Sequence, residues 1–376
     1  MKNHPKSSFA SDFSPAERTG IAQRRRTGVG GVPLPPDFPD RPYAVVSGRN
    51  PNGSRKHAML HNRYKTALVL SGGSARGLAH LGILLELEER GIRVDLIVGT
   101  SMGALIGGLY AIHGQASIVI ERIRNLVESD LFSRAVSAVA EEEAEMGPDG
   151  FFHRFMGLFK KGVYFTHSMI RPALVSREVY RQLMTDLIPD HSIEDLPLPF
   201  AASTMDFRSG DEIVIARGSI RDAIAASAAI PGIMPPVALG EKLLVDGGWA
   251  DNVPVAPAIA MGAHFVIAVD TTLEVPGLGT PPLSALESLF RCNEMTRILL
   301  TRHRKASADV LITPEIGRLS WANFAAIDRC LAAGRAALAQ NIDTIRQRRR
   351  TRRWRTLSGL IHPARSGDWR HPFAFL

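Results

Sequence analysis

Gly99-Thr100-Ser101-Met102-Gly103 follows a mostly apolar run, Ile92 to Val98, and precedes a helical-looking run, Ala104 to Ile112. Gly-x-Ser-x-Gly between a strand and a helix predicts a tight elbow with the serine hydroxyl exposed at the strand's end. A side chain at Gly99 or Gly103 is expected to collide where strand and helix close on each other. The five residues alone also fit a plain small-residue turn, so the neighbouring segments carry the decision.

Upstream, Thr66-Ala67-Leu68-Val69-Leu70 reads as a buried strand. It runs into Ser71-Gly72-Gly73-Ser74-Ala75-Arg76-Gly77 and then into a helix over Leu78–Arg90, with Gly91 as its stop. A glycine-rich loop at a helix start offers unpaired backbone N–H groups that favour negative charge. A phosphate and the oxyanion of an attacked ester are both such charges. No Lys lies between Thr66 and Arg90, which removes the nucleotide P-loop, and Gly72 to Gly77 does not spell Gly-x-Gly-x-x-Gly. An anion-binding loop just before a serine elbow fits acyl transfer better. Downstream, the strand-like Glu241–Val245 leads into Asp246-Gly247-Gly248-Trp249, which puts a carboxylate at an edge with little side-chain bulk around it. Asp-Gly is also an ordinary turn signal.

These three motifs, in this order, resemble those of patatin-like phospholipases, in the bacterial branch similar to the catalytic domain of neuropathy target esterase. That family carries a Gly-Gly-Gly-x-Arg-Gly loop, a Gly-x-Ser-x-Gly elbow and an Asp-Gly-Gly or Asp-Gly-Ala motif. Ser74 stands where the third loop glycine is usual. Ala228 to Val237 and Gly247 to Val255 are also similar to family segments, and the likeness covers about Lys65 to Arg335. The resemblance implies a patatin-like three-layer αβα fold with a mainly parallel central sheet. It implies a Ser-Asp dyad without histidine, Ser101 as nucleophile and Asp246 as its base. Gly72, Gly73, Ser74, Arg76 and Gly77 are implied as the oxyanion loop, and no metal or cofactor. Arg76 has two readings, a charge beside the oxyanion or an anchor of the loop. The implied substrate is a phospholipid or lysophospholipid. A lipid-binding or regulatory protein that keeps the fold without hydrolysis is the alternative.

A Ser-His-Asp triad is the rival mechanism, with its histidine expected on a loop after a late strand. His80 falls inside the first helix, His113 follows the elbow helix, His264 precedes a strand and His303 sits in a charged helical stretch. Asp270, Asp206 and Asp251 are further carboxylate candidates.

Strand-like runs at 67–70, 96–99, 200–203, 212–215, 243–245, 265–269 and 310–313 alternate with helical stretches, as a parallel sheet covered on both faces requires. Residues 1–63, rich in Pro, Gly, Ser and Arg, are expected to be disordered or loosely attached, 64–345 to form the catalytic domain, and 346–376 to form a basic tail. No signal peptide or transmembrane helix is expected. Two cysteines among 376 residues suit a reducing compartment, so a cytoplasmic location is expected. The tail holds nine Arg against the single acidic Asp368, a net +8 that equals that of the whole chain. With Trp354 and Trp369 it suits a peripheral, anionic membrane surface. Non-specific nucleic acid and a merely solvated tail are the other readings, and no specific nucleic-acid partner is expected. Phe151 to Lys161 reads as a lid or interfacial helix, or as a helix packed on the core.

Overall fold

The computed structural model describes residues 65–133, 173–272, 281–282, 285–317, 319–357 and 373–376. The expected N-terminal segment and Phe151–Lys161 lie outside the described residues.

The strands are β1 (Thr66–Leu70), β2 (Leu96–Thr100), β3 (Phe200–Asp206), β4 (Glu212–Ile215), β5 (Val237–Leu239), β6 (Lys242–Asp246), β7 (Phe265–Val269), β8 (Val310–Ile312) and β9 (Phe373–Phe375). The helices are α1 (Ala79–Glu89), α2 (Met102–His113), α3 (Ala116–Glu128), α4 (Arg177–Leu187), α5 (Ile220–Ser227), α6 (Val255–Ala260), α7 (Ala285–Lys305) and α8 (Ile327–Leu357). One sheet runs β5-β6-β3-β2-β1-β7-β8, with β4 also on β3 and β9 on β4. The central neighbours β3, β2, β1, β7 and β8 are parallel; β4 and β6 run antiparallel to β3.

Every residue of β1, β2 and β7 is buried, which is why these strands read as unbroken small and apolar runs. Successive side chains point to opposite faces. Leu68, Leu70, Ile97, Ile267 and Val269 enter a large core with α1–α5 and α8. Ala67, Val69, Val98, Val266 and Ala268 enter a second core with α6, and α7 packs on α6. The result is the expected three-layer αβα patatin-like arrangement. Among the described residues no helix is long and apolar enough to cross a membrane.

Two strands carry too little pattern to be read ahead of the structure. β5 has three residues in a proline-rich segment, and β9 lies in the expected tail. No break in secondary structure falls at Arg346: α8 continues to Leu357, and β9 pairs in parallel with β4.

Candidate active site

Ser101 joins β2 to α2 with φ 53° and ψ −119°, one of two non-glycine residues at positive φ among the described residues. Such geometry costs on the order of 1–3 kcal/mol and persists only where the surroundings enforce it. The two elbow glycines supply the enforcement. A Cβ on Gly99 would lie 2.4 Å from the Gly103 carbonyl oxygen, and one on Gly103 would lie 2.2 Å from that of Leu70. Strand and helix therefore meet backbone to backbone, as the motif predicts. The peptide leading into the serine is held too. The Ser101 N–H donates to Ser227 Oγ at 2.9 Å, the Ser227 hydroxyl donates to the Ser203 carbonyl at 2.7 Å, and Thr100 Oγ1 donates to the Asp251 carbonyl at 2.9 Å.

The sheet register brings Asp246 to this point. β2 pairs with β3 up to Thr100 opposite Ser203, and β6 pairs with β3 from Asp246 opposite Thr204. β4 spans both stretches on the other edge of β3. β2 and β6 thus abut end to end along one edge, so the residue after Thr100 faces the last residue of β6. The Ser101 side chain lies beside the Asp246 carboxylate and is one of the groups that pull its pKa down. The carboxylate accepts the Gly248 N–H at 2.8 Å, while the Asp246 N–H donates to the Ala229 carbonyl at 2.9 Å. Burial pushes the carboxyl pKa up to about 6, against the pull of the Ser101 side chain, the Gly248 N–H and the charge of Arg297. The last turn of α5 and the residues after it therefore hold both members of the pair: Ser227 takes the amide of Ser101, and Ala229 that of Asp246. No motif marks Ser227, a buried serine at a helix end; only the hydrogen-bond geometry reveals it.

The glycine loop after β1 lies over the serine. A Cβ on Gly72 would approach Ser101 Cβ to 3.2 Å and Asn252 Oδ1 to 2.6 Å, and one on Gly73 would fall 2.2 Å from Thr271 Oγ1. Gly77 abuts Met102 in the same way, at 2.5 Å from Cγ. Ser74 has φ 49°, so the position where the family carries glycine keeps a glycine-like conformation with a serine in it, at about 1–2 kcal/mol. The Gly72 N–H donates to the Asn252 carbonyl at 3.3 Å. The amides of Gly73 and Ser74, and that of Met102 at the start of α2, have no hydrogen-bond partner among the described residues. The Arg76 guanidinium is held by two backbone carbonyls. Its Nε donates to the Thr271 carbonyl at 2.8 Å and its Nη1 to the Gly317 carbonyl at 2.7 Å, which ties the loop to the segments after β7 and β8. His80 fixes the loop's other end through Nε2 on the Ser71 carbonyl at 2.8 Å, and burial lowers its pKa to about 4.

Ser101 and Ser74 sit at the edge of an apolar pocket of about 830 Å3, its open mouth included, walled by Leu105, Leu183, Met184, Met234 and Phe324 among others. Apolar walls with a few polar groups at one end are the usual make-up of a ligand site, and here they suit a hydrocarbon chain. Among the described residues no histidine lines it. The other carboxylate candidates are held elsewhere: Asp270 by Lys305 at 2.6 Å, Asp206 by Lys242 at 3.2 Å and Asp251 by Arg304 at 3.2 Å. Also among the described residues, no three His, Cys, Asp or Glu side chains gather as metal ligands would.

The patatin-like phospholipase family profile matches residues 68–259. An NTE family protein of Mycobacterium tuberculosis is 31% identical over 308 residues, covering 74% of this chain and 47% of the relative. Human patatin-like phospholipase domain-containing protein 6 is 34% identical over 206 residues, 54% of this chain and 13% of that protein. Lysophospholipase NTE1 of Mycosarcoma maydis is 34% identical over 231 residues, 60% of this chain and 11% of that protein. The chain thus spans about half the length of the mycobacterial relative and much less of the other two. The crystal structure of VipD from Legionella pneumophila aligns with a TM-score of 0.40 at 14% identity, over 75% of this chain and 67% of that one. The profile match covers more than half of the 376 residues, and the chain belongs to the patatin-like phospholipase family.

Proposed function

We propose that this chain hydrolyses fatty-acyl esters of phospholipids or lysophospholipids through a Ser101–Asp246 dyad. The observation that carries the reading is the buried Asp246 carboxylate brought by the sheet register beside a serine that opens onto an apolar pocket. The name lysophospholipase, borne by the relative from Mycosarcoma maydis, supports the same substrate class.

The acyl chain lies in the apolar pocket with its carbonyl at Ser101. Asp246 accepts the hydroxyl proton as Oγ attacks the carbonyl carbon. A carboxylate with a pKa near 6 is a better base for this step than one with the usual value of about 3.9. Negative charge develops on the carbonyl oxygen, where the amides of Gly73, Ser74 and Met102 are the candidate donors, aided by the positive end of α2. One such donor is worth roughly 3–4 kcal/mol in other acyl hydrolases. Asp246 returns the proton to the departing glycerol oxygen, leaving Ser101 acylated. It then takes a proton from water as that water attacks the ester, and returns it to Ser101 Oγ as the free fatty acid leaves.

The test compares wild type, Ser101→Ala and Asp246→Asn on a soluble nitrophenyl ester and on a lysophospholipid. The proposal requires turnover by wild type and its loss in both folded variants. Activity that survives in Asp246→Asn would overturn the dyad. Fatty-acid binding without turnover by wild type would favour the lipid-binding alternative.

A further inference from the structure

The C-terminal half of α8 carries seven arginines between Arg346 and Arg355, with no carboxylate from Thr344 to Leu357. They divide by role. Arg348 donates to the Asp309 carbonyl at 2.7 Å and Arg352 to the His264 carbonyl at 3.2 Å, which fastens the helix to the residues just before β8 and β7. Arg346, Arg349, Arg350, Arg353 and Trp354 fall at i, i+3, i+4, i+7 and i+8, so they form one line along the other side. Among the described residues these four arginines have no carboxylate partner, and Trp354 is 63% exposed.

We propose that this line is a docking surface for an anionic phospholipid bilayer. Four guanidinium groups on a straight helical edge match a plane of phosphates. An indole beside them matches the headgroup level, where Trp is favoured. A bilayer is preferred over nucleic acid because single strands are held by several aromatic side chains on which successive bases stack, whereas Trp354 is the one aromatic side chain beside these arginines among the described residues.

The surface is separate from the catalytic pocket. Phe324, three residues before α8, lines that pocket, and Arg346 lies nineteen residues along α8, about 30 Å at the helical rise. His264 and Asp309 precede parallel strands whose neighbours β1 and β2 carry the glycine loop and Ser101 at their far ends. Docking through α8 is therefore independent of ester chemistry, and a protein unable to hydrolyse lipid can test it.

The test uses the full chain carrying Ser101→Ala and co-sedimentation with vesicles of phosphatidylcholine alone or with phosphatidylglycerol. Each basic residue at an anionic surface contributes about fivefold to partitioning. Joint replacement of Arg346, Arg349, Arg350 and Arg353 by Gln should lower binding to the anionic vesicles several-hundredfold, and raised salt should weaken the parent. Replacement of the same four by Lys should retain binding, because a bilayer reads charge rather than bidentate geometry; this also guards against a folding defect. On a Ser101 background the Gln variant should hydrolyse a soluble ester at the parental rate. Equal partitioning of parent and Gln variant, equal binding to neutral and anionic vesicles, or release from vesicles by duplex DNA at equal phosphate would each overturn the proposal.

Discussion

Replacing Asp246 by Asn should abolish turnover and make the protein more stable at neutral pH. The carboxyl titrates near 6 in the folded chain against a reference value of 3.8. A difference of about two units at 1.36 kcal/mol each makes its ionisation cost about 3 kcal/mol of stability. Because the folded-state pKa is the higher one, the folded chain binds the proton more tightly. Stability is therefore fullest below about pH 4 and is lost as the pH rises through 6. Asn is neutral throughout and keeps an oxygen for the Gly248 N–H. Urea unfolding of wild type and Asp246→Asn at pH 8 should then differ by about 3 kcal/mol in favour of the variant. At pH 4 the difference should shrink to well under 1 kcal/mol. A variant that is less stable at pH 8, or whose advantage is the same at both pH values, would refute the argument from burial.

Three other outcomes follow from the same geometry. Wild-type kcat/KM on a soluble ester should show an acid limb with an apparent pKa near 6 and be about tenfold below its plateau at pH 5; a limb near 4 would mean a solvated base. Ser227→Ala removes the hydroxyl between the Ser101 amide and the Ser203 carbonyl. It should cost about 2–4 kcal/mol of stability from two unpaired buried groups and lower kcat far more than KM, as measured by denaturation and steady-state kinetics. Gly72→Ala places a Cβ 2.6 Å from Asn252 Oδ1 and beside Ser101; activity should fall about a hundredfold with the circular dichroism spectrum unchanged.

The parts of the molecule governed by local rules are legible in the sequence. The elbow glycines, the buried strands and the Asp-Gly-Gly turn each follow from steric demand or hydrophobic pattern within a few residues. What brings Ser101 to Asp246 is not local. It depends on β3 exchanging one partner, β2, for another, β6, between Ser203 and Thr204, and no pattern in β3 announces that exchange. Ser227 is hidden for the same reason, since both its partners lie on other elements. Arg76 is half legible: its place at a helix start is plain, while the carbonyls that hold its guanidinium, those of Thr271 and Gly317, lie about two hundred residues away. The basic stretch from Arg346 to Leu357 is legible as charge but not as shape, because arginines favour helix as readily as they suit a solvated tail; contacts to His264 and Asp309 fasten it as helix.

The central claim is that Ser101 is the nucleophile and that Asp246 activates it. Reaction of the purified chain with an alkyl fluorophosphonate, followed by peptide mass mapping and by the rate of labelling, tests both halves together. The account predicts one adduct per chain, on the peptide containing Ser101, absent in Ser101→Ala and formed at least a hundredfold more slowly in Asp246→Asn. An adduct on another residue, or labelling of Asp246→Asn at the wild-type rate, would contradict it.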